Sequence, residues 1–118
     1  MNQERRTSPR VRAYLPVRLR TPTALQTVET LTKDLSVGGL RCVSPILCPV
    51  STEVGLELAL SSGDEPMAVR GRTAWFRTIP ESDQFDFGIV FLELSQQNKG
   101  RLSAYIERLS HRSSLIPA

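Results

Sequence analysis

The sequence predicts a mainly β fold, in which six short antiparallel strands form a barrel or sandwich and one C-terminal helix covers an opening. Apolar and polar residues alternate in six segments separated by turn-forming residues, and the period becomes helical only near the end of the chain. With 118 residues, 40% of them hydrophobic, the chain has the size of one globular domain. The pattern lacks helices between strands, which disfavours a parallel α/β sheet.

The first predicted strand follows a polar, charged arm that Pro9 interrupts. Its apolar residues occupy alternate positions, as expected for a strand with one solvent-facing side. Clusters of proline, glycine and serine separate it from five further strands, and within the fifth strand Gly71 indicates a bulge or a close approach. The six predicted strands are residues 13–20, 26–35, 40–44, 54–60, 67–79 and 85–91.

The closing helix is predicted to begin after Ser95, whose hydroxyl suits an N-cap. Its apolar residues recur at the spacing of an amphipathic helix, which we expect to end near Ser110. The chain is therefore divided into a flexible basic arm at residues 1–12, a barrel with its helix at 13–112 and a tail at 113–118.

The positive charge is concentrated at the N-terminus. Residues 1–20 contain six arginines and one acid, whereas the other 98 residues contain nine basic and eleven acidic groups. The chain has far more arginine than lysine, and only arginine carries a planar fork that pairs with phosphates and guanine edges. The arm therefore suits a partner that bears phosphate or guanine, although a GC-rich genome would also favour arginine.

Catalytic and metal sites are disfavoured, because the only histidine, His111, is far from the two cysteines, Cys42 and Cys48. Cys42 is expected to pack as a small core residue. We therefore predict a protein that is not an enzyme, with no catalytic residue, metal or cofactor. The paired carboxylates, which lie in predicted turns or at strand edges and are expected to be solvated, are Asp64/Glu65 and Asp83/Asp86.

No apolar run approaches the length of a membrane span, and the N-terminus lacks the apolar stretch of a secretory signal. Two cysteines make no disulfide framework. These features predict a cytoplasmic protein with reduced thiols.

The first local motif is an RxxxR spacing formed by Arg6 and Arg10, with Arg5 directly before it. In an extended chain, arginines four positions apart lie roughly 13 Å apart, so they can hold opposite sides of a small anion. A solvated basic tail has the same pattern, and the motif alone does not distinguish the two.

The second motif is DxSxxG, formed by Asp34, Ser36 and Gly39, with Gly38 before the last residue. Asp34 can accept from the donor edge of guanine, and the Ser36 hydroxyl can donate and accept. The glycines allow close approach or a positive φ. Alternatively, the motif is a serine or Asx turn that only closes a hairpin.

Together the two motifs resemble those of the PilZ domain family, whose members bind the bacterial second messenger cyclic di-GMP. The family pairs RxxxR in an N-terminal arm with [D/N]xSxxG at the start of a barrel strand, and the matching positions here are Arg6, Arg10, Asp34, Ser36 and Gly39. The similarity extends over the strand-rich region and the closing helix. It implies a six-stranded PilZ-type barrel with a C-terminal helix.

The resemblance also implies roles for individual residues. Arg6 and Arg10 hold the phosphates and the guanine faces, while Asp34 and Ser36 read a guanine edge. An arginine at the position of Arg5 goes, in this family, with binding of an intercalated cyclic di-GMP dimer.

Gly39, helped by Gly38, is implied to keep the floor of the site clear. Trp75 occupies a strand position where some family members place an aromatic ring against the ligand. It shares strand parity with Val69 and Thr73, so packing in the core is an equal alternative.

By resemblance, the protein is a receptor and adaptor. The nucleotide orders the arm on the barrel, and the new surface meets an unidentified protein effector. One alternative is a nucleic-acid-binding module, which the acidic body and the few aromatics disfavour. A second alternative, a degenerate PilZ domain that binds only protein, is disfavoured by the intact motifs.

Overall fold

Seven strands and one helix make up the fold in the computed structural model, which describes residues 10–21, 27–60 and 65–115. The strands are β1 (Val11–Arg12), β2 (Pro16–Arg20), β3 (Val28–Ser36), β4 (Gly39–Ser44), β5 (Glu53–Leu58), β6 (Met67–Thr78) and β7 (Phe85–Glu93). The helix is α1 (Gln96–Leu115). Each of the six predicted strands is therefore present, with boundaries that differ by a few residues.

Six of the strands close into an antiparallel barrel. Around the ring, β2 pairs with β5, β5 with β6, β6 with β7 and β7 with β4, and the pairings of β4 and β2 with β3 complete the circle. Because the sheet closes on itself, each of these six strands has a hydrogen-bonded neighbour on both sides. The predicted six-stranded barrel with a closing helix is confirmed, and the sandwich alternative is wrong.

The first predicted strand, 13–20, begins only at Pro16, and a separate short strand, β1, precedes it. The interruption at residues 13–15 lets β1 and β2 pair with different parts of β3. Thr32 of β3 fills the interruption. Its hydroxyl accepts a hydrogen bond from the Leu15 amide at 2.9 Å and donates to the Ala13 carbonyl. Of the predicted arm at residues 1–12, the last three residues are described, and two of them form β1.

The barrel core consists of the inward-facing residues of every strand. In β2, Val17 and Leu19 are buried and the residues between and around them are exposed, as the alternation predicts. Gly71 is also buried, and a Cβ atom there would lie 2.6 Å from Cγ2 of Ile89. The register between β6 and β7 shifts at the same point. Gly71 is therefore a site of both close approach and a bulge.

Helix α1 packs against β1 and β3. The Ser95 hydroxyl accepts a hydrogen bond from the Asn98 amide at 3.1 Å, which confirms the predicted N-cap. Leu102 and Ile106 bury the apolar face. The helix continues past Ser110 to Leu115, because the sequence has no helix-breaking residue until Pro117. Within the described ranges, no helix is both long and apolar enough to span a membrane.

Candidate ligand-binding site

A continuous row of residues crosses five strands on the outer surface of the barrel. Arg12 of β1 pairs with Asp34 of β3, Asp34 with Arg41 of β4, and Arg41 with Gly88 of β7. Gly88 in turn pairs with Trp75 of β6. Neighbouring strands lie about 4.8 Å apart, so the row places cations, a carboxylate and an aromatic ring on one surface.

Two cavities open along this row. The first has a volume of about 290 Å³ and lies between Asp34 and Trp75. The second, of about 530 Å³, lies towards Arg12 and Tyr14. Asp34, Arg10 and Arg41 line both, so the carboxylate is at their junction. The remaining residues of the first cavity are Leu40, Ala74, Gly88, Ile89 and Val90.

The two sequence motifs meet at Asp34. Nη1 of Arg10 donates a hydrogen bond to Oδ1 of Asp34 at 2.6 Å. The Arg10 side chain is 50% exposed and that of Asp34 19% exposed, so the pair remains open to solvent. Arg5 and Arg6, which carry the other predicted contacts of the arm, lie outside the described residues.

Trp75 is directed outward by a bulge in β6. The register shifts between Thr73 and Trp75, which reverses the alternation, so that Phe76 packs on the core while Trp75 is 39% exposed. The indole lies over Gly88, where a Cβ atom would be 2.1 Å from the indole Nε1. Arg77 is 5.9 Å from the ring centroid. Trp75 is therefore a wall of the cavity and not a core residue.

Ser36 takes part in the hairpin turn. Its hydroxyl accepts from the Gly38 amide at 3.1 Å and lies 3.4 Å from the Gly39 carbonyl oxygen, to which it donates. Its side chain is buried. The turn joins β3 to β4 through two residues and so fixes the register that places Asp34 opposite Arg41.

Gly39 is required by strand packing. A Cβ atom there would lie 2.2 Å from the carbonyl oxygen of Ile89, whereas one on Gly38 would only touch the Ser36 hydroxyl at 3.7 Å. The described lining of the two cavities includes neither these glycines nor Ser36. The structure therefore brings Arg10, Asp34 and Trp75 together and places the other described motif residues in the turn beside them.

Sequence reasoning missed two charged residues: Arg41, which lines both cavities, and Asp86, which lies beside Arg41. Asp86 was expected to be solvated, yet its side chain is 3% exposed. That prediction is wrong because arginines of both neighbouring strands, Arg77 of β6 and Arg41 of β4, lie against the Asp86 carboxylate, whereas Asp83 belongs to the preceding turn. The available signal was the pattern of opposite charges on neighbouring strands, which becomes readable only once the register is known.

Comparison with known proteins relates this geometry to a family. The family model described as PilZ domain matches residues 4–108. The PilZ domain of YcgR from Escherichia coli, solved with c-di-GMP, superposes with a TM-score of 0.70 at 15% identity, over 92% of this chain and 94% of that one. A comparison with curated protein sequences gives no match.

Two larger structures share the fold. The inhibitor of motility MotI/DgrA from Bacillus subtilis gives a TM-score of 0.75 at 16% identity, over 96% of this chain and 53% of that one. A tetrameric PilZ protein from Xanthomonas campestris gives 0.58 at 24% identity, over 80% and 52%. The match thus spans about half the length of each of these chains. With nearly its whole length matched by the family model, the chain belongs to the PilZ domain family.

Proposed function

We propose that this PilZ domain is a cytoplasmic, non-enzymatic receptor for cyclic di-GMP. The observation that carries the proposal is the contact of Arg10 with Asp34, which joins the two motifs at the junction of two cavities. A carboxylate that accepts hydrogen bonds is the complement of the guanine N1–H and N2–H₂ edge. Arginines of the arm are the complement of the phosphates.

Recognition of guanine requires that Arg10 release Asp34. An exposed ion pair contributes about 0–1 kcal/mol, so its loss costs little. The guanine edge then donates two charge-assisted hydrogen bonds to the same carboxylate, and the freed guanidinium turns to a phosphate. Trp75, fixed over Gly88 at the far wall, offers a flat surface on which a base or an arginine stacks.

The arm supplies the conformational signal. Arg10 leads directly into β1, and β1 contacts both β3 and α1. When Arg5, Arg6 and Arg10 hold the phosphates, the arm is drawn over the cavities and the adjacent surface changes shape. A protein effector that contacts the ordered arm then distinguishes the bound form from the free form.

Calorimetric titration of the full chain tests the proposal. Cyclic di-GMP should bind saturably, while GTP and cyclic di-AMP should not. Arg10→Ala should weaken binding by about tenfold or more, since charged hydrogen bonds are worth roughly 1.5–3 kcal/mol. Arg18→Ala is the matched control, because Arg18 is a half-exposed arginine, ion-paired to Glu29, outside both cavities.

The stoichiometry of the same titration tests the role of Arg5. Two nucleotides per chain, reduced to one in Arg5→Ala, are expected for an intercalated dimer. No binding of cyclic di-GMP by the wild-type chain would refute the receptor and leave a domain that binds only protein. Salt-dependent binding of RNA or DNA, unaffected by Arg10→Ala, would favour the nucleic-acid module.

A further inference from the structure

Asp86 lies at the centre of a charge cluster that neither motif contains. Its buried carboxylate is on β7, between an arginine of β6 and an arginine of β4. Nε and Nη2 of Arg77 donate to Oδ2 at 3.2 and 3.1 Å. Nε of Arg41 lies 3.6 Å from Oδ1. A buried charge is costly unless it is paired, so Asp86 holds both arginines close to itself.

Each of these arginines also lies beside a second side chain, which lines the first cavity. Nε of Arg41 is 3.7 Å from Oδ2 of Asp34, on the side away from the Arg10 contact at Oδ1. The guanidinium of Arg77 lies 5.9 Å from the ring centroid of Trp75. Asp86 therefore links the two opposite walls of the cavity through one arginine on each side.

The contacts on the Arg41 side are not fully satisfied. Nε of Arg41 and Oδ1 of Asp86 are both buried and, within the described part of the chain, neither makes a hydrogen bond. At 3.6–3.7 Å from two carboxylates, this nitrogen is shared and committed to neither. Arg41 therefore lies just beyond hydrogen-bond distance of Asp34, and only a short movement would complete that bond.

We propose that Asp86 is a positioning residue of the ligand site, which holds Arg41 beside Asp34 and Arg77 beside Trp75 and so sets both guanine selectivity and the stacking surface. The inference rests on the proposed function. When Arg10 leaves Asp34 for a phosphate, Arg41 remains as the neighbouring positive charge. Asp34 thus stays compensated and oriented while guanine binds.

The two sides of Asp86 predict separable effects. Arg41→Met should reduce the preference for guanine and leave the environment of Trp75 unchanged. Arg77→Met should change the environment of Trp75 and preserve the preference for guanine. Asp86→Asn, which keeps the shape of the side chain and removes its charge, should do both. A residue that only supports folding would lower all affinities together and leave the preference intact.

The test uses the full chain with cyclic di-GMP and its hypoxanthine analogue, cyclic di-IMP, which lacks the exocyclic amino group. Losing one charged hydrogen bond should make wild-type binding of cyclic di-IMP about tenfold weaker. Trp75 is the only tryptophan, so its emission and its quenching by acrylamide report the other wall. Glu53→Gln is the control, because Glu53 is also a carboxylate paired with an arginine of β6.

The inference is supported if Asp86→Asn weakens cyclic di-GMP binding by about tenfold, reduces the preference over cyclic di-IMP and shifts Trp75 emission in the free protein. It is overturned if Asp86→Asn, like Glu53→Gln, matches the wild type in affinity for cyclic di-GMP, in preference over cyclic di-IMP and in Trp75 emission. If Asp86→Asn does not fold, Arg41→Met and Arg77→Met provide the test. The inference is overturned if Arg41→Met keeps the wild-type preference for guanine and Arg77→Met keeps the wild-type emission of Trp75. A wild-type chain that binds neither nucleotide refutes the proposed function and the selectivity role with it.

Discussion

Two clusters of arginine and carboxylate on the same barrel differ in how well their charges are satisfied. Arg70 of β6 donates to Glu53 at 2.6 Å and to Glu93 at 3.1 Å, and all three side chains are about half exposed or more. Hydrogen bonds to Glu93 and Glu53, and then their charges, raise the pKa of Arg70. Every partner of this cluster is close and well placed, yet water screens it.

The cluster around Asp34 and Asp86 has the opposite character. Its carboxylates are largely buried, and its arginines are one-third to two-thirds exposed. Nε of Arg41 lies 3.6–3.7 Å from both carboxylates, too far for a hydrogen bond to either. The contrast teaches that well-made hydrogen bonds on a surface leave their groups little capacity for a ligand. Residues of both clusters line cavities. The less satisfied cluster keeps unpaired hydrogen-bonding atoms and can rearrange around a ligand, whereas the Arg70 cluster is already complete.

The largest expected effect separates the two clusters by binding. Asp34→Ala should weaken cyclic di-GMP binding by about a hundredfold or more, because it removes both charged hydrogen bonds to the guanine edge. Glu53→Ala, which removes a carboxylate from the Arg70 cluster, should leave affinity unchanged. Calorimetric titration of both variants makes the comparison, with circular dichroism to verify folding. Equal losses of affinity would show that the clusters act only through general electrostatics.

A smaller effect is expected from adding a methyl group beneath Trp75, on the wall of the first cavity. Gly88→Ala places Cβ 2.1 Å from the indole Nε1 of Trp75, so the flexible side chain must move off its support. Loss of stacking is worth about 1–3 kcal/mol per base, so affinity should fall by about tenfold, with a shift in Trp75 emission and little loss of stability.

Gly55→Ala is the matched control on the opposite surface. Gly55 shares a cavity lining with Arg70, and a Cβ atom there meets only the Arg20 carbonyl at 3.9 Å. Affinity and emission should remain those of the wild type. Unchanged binding in Gly88→Ala would mean that the ligand does not use the tryptophan wall.

Periodicity was sufficient to predict six strands and a closing helix, because an inward residue at every second position is a local property of the sequence. The choice of a barrel over a sandwich came from the resemblance to PilZ domains. The alternation located all six barrel strands, and residue type indicated the Ser95 cap and the close approach at Gly71. The resemblance to PilZ motifs likewise placed Arg10 and Asp34 in one site, and the structure joins them. These predictions required no knowledge of which strands are neighbours.

Bulges and register account for what the sequence did not reveal. In a regular strand, Trp75 and Thr73 would face the same side, because they are two residues apart. The bulge between them puts Trp75 on the other side, and no glycine or proline in the sequence marks it. Asp86 was expected to be solvated near the start of the last strand, and only its pairing with Arg77 shows it to be part of a buried cluster. Such features depend on contacts between distant strands, which no local pattern contains.

The smallest expected effect lies on the inner side of the Asp86 cluster, at Cys42. This thiol is fully buried beside Arg41 on β4. Burial first, and then the charges of Cys48 and Asp86, raise its pKa from 9.0 to about 12. Because the folded-state pKa is above that of the unfolded chain, the thiol's contribution to stability is complete below pH 9 and is lost as the pH rises towards 12.

Removing the Asp86 charge should therefore lower the Cys42 pKa only slightly, since burial is the main cause and Asp86 the last. In the wild type, in Asp86→Asn and in Glu53→Gln, the Cβ chemical shift of Cys42 in NMR spectra should not titrate between pH 7 and about pH 10. A midpoint below that limit in Asp86→Asn alone would mean that the cluster, and not burial, keeps the thiol protonated. Asp86 would then act inward on the core as strongly as outward on the cavity, and the contrast with the Arg70 cluster would extend through the barrel wall.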